Sequence, residues 1–386
     1  ERRARRILPA LFFVMLVATP FAWAWMLPEE FADYTKSVIA VVLFVSNILF
    51  WQESGYFEPA AELKPLLHTW SLAVEEQYYL LFPLFLMAAW RFGPRKVLAV
   101  IFAMALVSLA ISHWGAFNKP SANFYLAPSR AWELLAGAMA AVWVHLRGRS
   151  DNQILSLIGL ALIGYAIFAF NGQTPFPSLY TLAPVVGTAL ILLFGGQATW
   201  AGKLLSMKGF VWIGLVSYSA YLWHQPLFAF ARIKTFEAPP EWLMLILAIA
   251  SIGLAWVTWR FIEQPFRGNP ARILPRQGPL LAAAAAGIVA WMGFGLVADN
   301  ARSFKEARSD EAMRYLSFVR YTQLPEHGEV FRKSCFLSST RDGFQFFDQN
   351  ACLSLSADKP NVLYFGDSHA AHLWTALSEA SPEVNL

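Results

Sequence analysis

The chain has 386 residues, 57% of them hydrophobic and only 15% charged, with a formal net charge of +4. Soluble globular domains average roughly 45–50% apolar and about 25% charged residues, so an ordinary soluble enzyme, a disordered scaffold and a disulfide-rich secreted domain are all excluded. A charge so near neutral gives no footing for a nucleic-acid partner, whereas 32 Phe, 16 Trp and 12 Tyr suit a bilayer with aromatic belts.

One bilayer crossing takes roughly 17–25 mostly apolar residues. Such runs lie at 7–27, 72–90, 97–114, 131–146, 153–170, 179–194, 209–231, 242–259 and 280–298. They predict an all-α polytopic membrane protein with about nine crossings. None reads as a signal peptide, because no small-residue cleavage site follows the first run. The run 37–51 is shorter, which predicts a re-entrant or interfacial segment. Loop charges support this. If 37–51 does not cross, 15 Lys and Arg fall on one side of the membrane and 6 on the other; if it crosses, the split is 12 and 9. The positive-inside rule selects the first arrangement. It puts the block Arg2, Arg3, Arg5 and Arg6 in the cytoplasm and everything after 298 outside.

Residues 299–360 are polar and carry both cysteines, Cys335 and Cys352. An oxidising compartment permits them to pair; two free thiols are the other reading. From Asn361 the run NVLYF reads as a buried strand, followed by the turn Gly366-Asp367-Ser368-His369 and a helix. Strand, tight turn and helix is where an α/β enzyme exposes a nucleophile. The chain opens at Glu1 and stops at Leu386 inside this apparent folded segment, which predicts a fragment of a longer protein.

Within the membrane runs, polar groups are functional candidates by default. Arg3 and Arg6 stand three apart and share a helix face. Arginine forks bind phosphate bidentately, although positive charge also anchors topology. Glu75 and Glu76 lie side by side near a helix start, suited either to chemistry or merely to the helix dipole. His68, shortly before them, titrates near neutral pH. His224, two residues before Pro226, suggests a broken helix or a plain helix–helix contact. Arg130 and Glu133 open another run. By parity His68, Glu75, Glu76, Arg130, Glu133 and His224 all fall nearer the outer face, away from Arg3 and Arg6. Glu263 falls at the inner edge as a partner for Arg260 or Arg267.

These residues carry a resemblance. RRARRILPAL, SNILFW, LLHTWSLAVEEQYYLLFPL, SRAWELLAGA, SYSAYLWHQPL and FIEQPFR together resemble the membrane-bound acyltransferase-3 family. GDSHAAHLW resembles the first block of an SGNH hydrolase-type domain. The combination is similar to bacterial O-acetyltransferases that modify O-antigen or other surface polysaccharides. The resemblance implies an acyltransferase membrane domain over 1–265 and a linker with the last transmembrane helix over 266–298. A periplasmic linker over 299–360 and the beginning of an α/β SGNH-type domain over 361–386 follow. It implies acetyl-CoA or another acyl-CoA as cytoplasmic donor, with no bound cofactor and no metal. The acceptor is an extracytoplasmic glycan, and the setting is a bacterial inner membrane.

Residue by residue, the implied catalytic groups are Ser368, Asp367, Glu75, Glu76 and His68, and the implied donor-binding pair is Arg3 and Arg6. Trp70, Arg130, Trp132, Glu133 and His224 are the expected acceptor-binding groups. The family's first two helices, with a catalytic His and a Phe-Phe-Val-x-Ser-Gly-Phe-type motif, have no counterpart here, nor do the later SGNH blocks. With those two helices the family form carries eleven crossings, and this chain alone is expected to be inactive. Gln225 stands where many relatives have Trp. Two alternatives remain: a peptidoglycan O-acetyltransferase of similar layout, and a polytopic transporter. The short run 37–51 and the Pro-interrupted helices favour the latter; the strand–GDSH–helix unit disfavours it.

Overall fold

The computed structural model describes residues 1–54, 60–235, 238–268, 271–299, 335 and 347–385. They divide into two units, Glu1–Arg302 and Ser303–Leu386.

Every predicted apolar run coincides with a helix of the first unit. Its first half comprises α1 (Arg2–Trp25), α2 (Pro28–Val42), α3 (Ser46–Gln52), α4 (Thr69–Ala89), α5 (Pro94–Asn118), α6 (Pro120–Tyr125) and α7 (Ala127–Arg147). There follow α8 (Gln153–Ala169), α9 (Leu182–Phe194), α10 (Trp200–Leu205), α11 (Lys208–Lys234) and α12 (Glu241–Thr258). A π-helical turn at Trp259–Glu263, α13 (Gln264–Arg267) and α14 (Gln277–Asp299) complete it. Local chemistry sets the ends. Gly93, at φ 89°, turns the chain into Pro94 at the first position of α5, and Gly148, at φ 77°, ends α7.

Among the described residues, four helices are long and apolar enough to cross a membrane: Arg2–Trp25, Pro94–Asn118, Glu241–Arg267 and Gln277–Ala298. Gln153–Ala169 and Leu179–Phe194 are shorter apolar helices. The helices α4, α7 and α11 have 21, 21 and 27 residues. They are long enough too, but Glu75, Glu76, Arg130, Glu133 and His224 dilute their apolar character. What marks a site in a membrane helix also weakens its hydropathy.

Side-chain contacts fix the relative directions of three helices. Along α1 and α11, Phe13 packs on Trp223 and Phe21 on Phe230, with ring centroids 6.2 and 6.1 Å apart. These two helices therefore run parallel. The third, α4, runs the other way: its Glu75 and Glu76 meet Arg3, while the earlier Ser71 meets Tyr221.

The run 37–51 is not one helix. It is divided between α2 and α3 by a turn at 43–45, where Phe44 takes a φ of 54°, uncommon for a bulky side chain. Gln77 holds the break open, donating from Nε2 to the Phe44 carbonyl and to Asn47 Oδ1, both at 2.9 Å. Asn47 in turn donates to the Tyr125 carbonyl at 3.2 Å. Irregular backbone at membrane depth survives only where protein satisfies it, and here α4 supplies the partner.

In the second unit Cys335 and Cys352 form a disulfide, with Cα atoms 5.5 Å apart. The linker expected over 299–360 lies largely outside the described residues. The expected buried strand at 361–365 is corrected. Asn361 makes a single parallel bridge to Asn385, and Val362, Leu363 and Phe365 are exposed. A strand is buried by neighbours on both sides, and only residue 385 pairs with this one among the described residues. The helix after the turn is present as α16 (Ser368–Ala380), preceded by the short α15 (Gln349–Cys352).

Arg5 ties the start of α1 to the segment before α14. Its guanidinium is buried and donates to the carbonyls of Leu274 at 2.8 Å and Pro275 at 3.0 Å, with Glu1 paired at 3.0 Å. Leu274 is half-buried and Pro275 exposed, so water can replace part of what the guanidinium supplies. Arg5→Ala is therefore expected to lower stability by about 1–2 kcal/mol, read as a fall in unfolding temperature in detergent micelles. Lys should restore only part of the loss, since one ammonium cannot span two carbonyls as a planar fork does.

Candidate active site

Arg3 stands at the centre of the site. Its Nε donates to Glu76 Oε1 and its Nη2 to Glu75 Oε1, each at 3.0 Å. Consecutive helical residues point about 100° apart, so one planar fork bridges two carboxylates that would otherwise splay and repel. The guanidinium also lies over the Tyr79 ring, 3.1 Å from its centroid. The trio of Arg3, Glu75 and Glu76 carries one net negative charge. Arg6, one helical turn along, is exposed and has neither hydrogen bond nor ion pair among the described residues. Of the two arginines expected to take donor phosphates, Arg6 is free and Arg3 is already committed to carboxylates.

The expected separation of Glu75 and Glu76 from Arg3 and Arg6 is thereby corrected. Parity reports which end of a helix lies on which side. It does not report depth along the helix, and Glu75 lies seven residues, about 10 Å, beyond His68. A long arginine side chain closes the remaining gap.

Toward the start of α4 a second group of polar side chains gathers along α11. Tyr221 Oη shares a hydrogen bond with Ser71 Oγ at 3.0 Å and donates to the His68 carbonyl. His224 Nδ1 lies 2.6 Å from the Tyr221 carbonyl. A carbonyl only accepts, so Nδ1 carries a proton and donates it to Tyr221. The His68 and His224 rings are 5.4 Å apart, and His68 is buried with no hydrogen-bond partner on either ring nitrogen among the described residues. Burial, with His224 beside it, holds the His68 imidazole well below its ordinary pKa. The buried His68 ring, with His224 facing it, places imidazole nitrogens where a hydroxyl proton can be received. Gln225 reaches the carbonyl of Lys64 at 3.1 Å, so the glutamine anchors the loop before α4.

A third group lies at the start of α7. Arg130 donates to Glu133 at 3.1 Å and to the Phe124 carbonyl at 3.0 Å. Its guanidinium lies about 5 Å from the rings of Trp70, Phe124 and Phe176. Its Nη2 is buried without a partner. Trp70, Arg130 and Glu133 are thus brought together. Trp132 is not: it is 3% exposed and packs in the core that α5 and α7 share with Val97, Ile101 and Leu135. It sits two residues after Arg130, on the other side of the helix.

Tyr218, Ser219 and Tyr221 were not singled out in the sequence. Tyr218, Tyr221 and His224 recur every third residue and share one face, a signal present in SYSAYLWH. Tyr218 Oη donates to the Ile7 carbonyl at 2.9 Å. Glu263 is fully buried on the π-helical turn and pairs with Arg267 at 2.9 Å, one of its two expected partners, while Ser219 donates to it. Such turns cluster at functional sites.

In the second unit Ser368 opens α16 and Asp367 precedes it, exposed. The Tyr364 hydroxyl donates to the Ala370 carbonyl at 2.8 Å, which ties the extended segment to the first turn of the helix.

The family described as "Acyltransferase domain" matches residues 1–260. Among curated proteins, the peptidoglycan O-acetyltransferase OatA of Listeria monocytogenes is 30% identical over 288 residues, 69% of this chain and 46% of the relative. The O-acetyltransferase OatA of Staphylococcus aureus is 31% identical over 291 residues, 69% of this chain and 47% of the relative. The putative peptidoglycan O-acetyltransferase YrhL of Bacillus subtilis is 26% identical over 298 residues, 72% and 46%. The aligned part spans just under half the length of these relatives. No solved structure matches the chain.

The bridge at Arg3 is testable by a double-mutant cycle. Arg3→Gln combined with Glu76→Gln should give a coupling of about 1–2 kcal/mol, since Glu76 is largely shielded from water. The cycle with Glu75→Gln should give less, because the Glu75 side chain is 42% exposed. Unfolding in detergent reads both, and two couplings indistinguishable from zero would remove the bridge.

Proposed function

The chain belongs to the acyltransferase family whose domain spans residues 1–260, and from that membership we propose that the protein transfers an acetyl group to a surface polysaccharide. Family and relatives make it a multi-pass membrane acyltransferase, and the transporter reading gives way to them. Peptidoglycan takes the first place as acceptor, because two of the relatives are named for it. O-antigen, which the sequence put first, stands behind it.

The observation that carries the chemistry is the Arg3 bridge beside the unpaired Arg6. In this reading acetyl-CoA approaches from the cytoplasm and its phosphates meet Arg6, with Arg3 free to turn from one carboxylate toward them. The thioester carbonyl carbon is attacked by a hydroxyl oxygen, a carboxylate or imidazole on α4 or α11 takes the hydroxyl proton, and the C–S bond breaks to release CoA thiolate. His68 and His224, two helical turns from the carboxylates, serve the acceptor end, with Trp70, Arg130 and Glu133 beside them for the sugar. Ser368 in the second unit is the proposed outer nucleophile. Its oxygen takes the acetyl group from that first ester and frees the first hydroxyl. A glycan hydroxyl oxygen then takes the acetyl group from Ser368, whose hydroxyl is restored by the glycan's proton. Asp367 belongs to the same block.

The accompanying topology has nine crossings, a re-entrant or interfacial 37–51 segment, the start of α1 in the cytoplasm and the second unit outside a bacterial inner membrane. The turn at Phe44 and its capping by Gln77 support the re-entrant part.

The test is mass analysis of wall glycan from a null strain that expresses the protein from its native locus. The wild type should add one acetyl per modified sugar. Glu76→Gln should remove it with membrane insertion intact, and Arg6→Ala should raise the KM for acetyl-CoA about tenfold or more with a smaller change in kcat. Ser368→Ala should abolish transfer to glycan. An unmodified glycan in the wild-type strain would reject the reading.

A further inference from the structure

An apolar groove of about 600 Å³ lies between α5, α7 and α9, away from the polar site. Its walls include Leu98, Phe102, Met139, Trp143, Val186 and Leu190, and Arg95 is the one charged residue among those lining it. Along α9 it extends from Val185 to Leu193, eight residues or about 12 Å. That fits inside the roughly 15 Å of hydrocarbon in one leaflet.

One end of the groove is strongly cationic. Arg95 is exposed and has no hydrogen bond or ion pair among the described residues. The Arg147 guanidinium lies 5.5 Å over the Trp143 ring, which itself lines the groove. Arg91 and Lys96 flank Arg95, and Arg149 follows Arg147 in sequence. Trp90 and His145 pack together nearby, ring centroids 5.6 Å apart, and Trp at this position marks the headgroup level. Acidic groups are few: from 77 to 151 the Asp and Glu residues are Glu133, at the far end of α7 and paired with Arg130, and Asp151, beside Gly196 at this end, against the five cations Arg91, Arg95, Lys96, Arg147 and Arg149. An apolar slot one leaflet deep, opening on unpaired cations at the interface, is complementary to a molecule with one acyl tail and an anionic head. A second copy of the chain would have to bury those cations against their own kind.

We propose that this groove holds one acyl chain of an anionic phospholipid whose headgroup phosphate is bound by Arg95 and Arg147. The site stands apart from the acyl-transfer reading and does not depend on it.

Native mass spectrometry of the whole chain in detergent tests it, with phosphatidylglycerol and phosphatidylcholine of identical chains as probes. One phosphatidylglycerol should be retained in preference to phosphatidylcholine. Arg95→Gln with Arg147→Gln, both at the groove's end, should cut phosphatidylglycerol retention roughly thirtyfold and leave phosphatidylcholine unchanged. Ala189→Trp, which fills the groove, should remove the retained phosphatidylglycerol while the double-Gln variant provides the readout should this one misfold. Equal retention of the two lipids, loss of both on removing the arginines, or displacement of phosphatidylglycerol by palmitoyl-CoA would overturn the proposal.

Discussion

Two neighbouring carboxylates on a membrane helix cannot both stay charged without a cation within reach, and in this protein that cation is Arg3. Glu76, 16% exposed, is the more shielded of the two and needs its partner most, while Glu75 keeps some of its water. A single planar fork meets Glu75 and Glu76 at 3.0 Å each, a geometry lysine cannot reproduce. The bridge locks the first turn of α1 to the second turn of α4, so the rest of the site inherits its position from it. It also leaves the cluster one charge short of neutral, with Arg6 beside it to receive an anion.

Everything around the bridge serves to hold the first turn of α1 in place. Arg5 fixes it to the carbonyls of Leu274 and Pro275, and Tyr218 binds the Ile7 carbonyl from α11. On the other side of α4, Gln77 props open the break between α2 and α3. Three consecutive residues, Glu75, Glu76 and Gln77, therefore divide their work. The first two hold charge, and the third supplies the hydrogen bonds that permit non-helical backbone beside them. Three of the four arginines at the start of the chain divide theirs likewise. Arg5 is structural, Arg3 bridges, and Arg6 remains available.

The helices were legible because apolar length is a one-dimensional property: each run predicted from hydropathy coincides with a helix. The polar site was legible as a set of residues, since charge in a membrane run is costly wherever it falls. Its arrangement was not. Loop charges assign ends of helices to sides, and they carry no measure of depth, so Glu75 and Glu76 were put apart from Arg3 although the structure joins them. Trp132 was grouped with Arg130 by adjacency, yet successive helical positions face different ways, and it belongs to the core. Tyr221 needed the three-residue spacing read from Tyr218 to His224. The strand reading of NVLYF failed for a different reason: alternation and apolar content signal a strand only when neighbours exist to pair with it, and among the described residues one bridge to Asn385 is what it has.

Cross-linking in native membranes tests the central contact most directly. Cysteines replace Arg3 and Glu76 in one variant, and Arg3 and Met87 in another, and both are treated with a short bis-maleimide. Met87 lies eleven residues further along α4, roughly 16 Å beyond Glu76, and is 71% exposed. The account predicts an efficient link between positions 3 and 76 and none between 3 and 87. Linking at 87 with none at 76 would contradict it, because the first turn of α1 would then lie against the opposite end of α4.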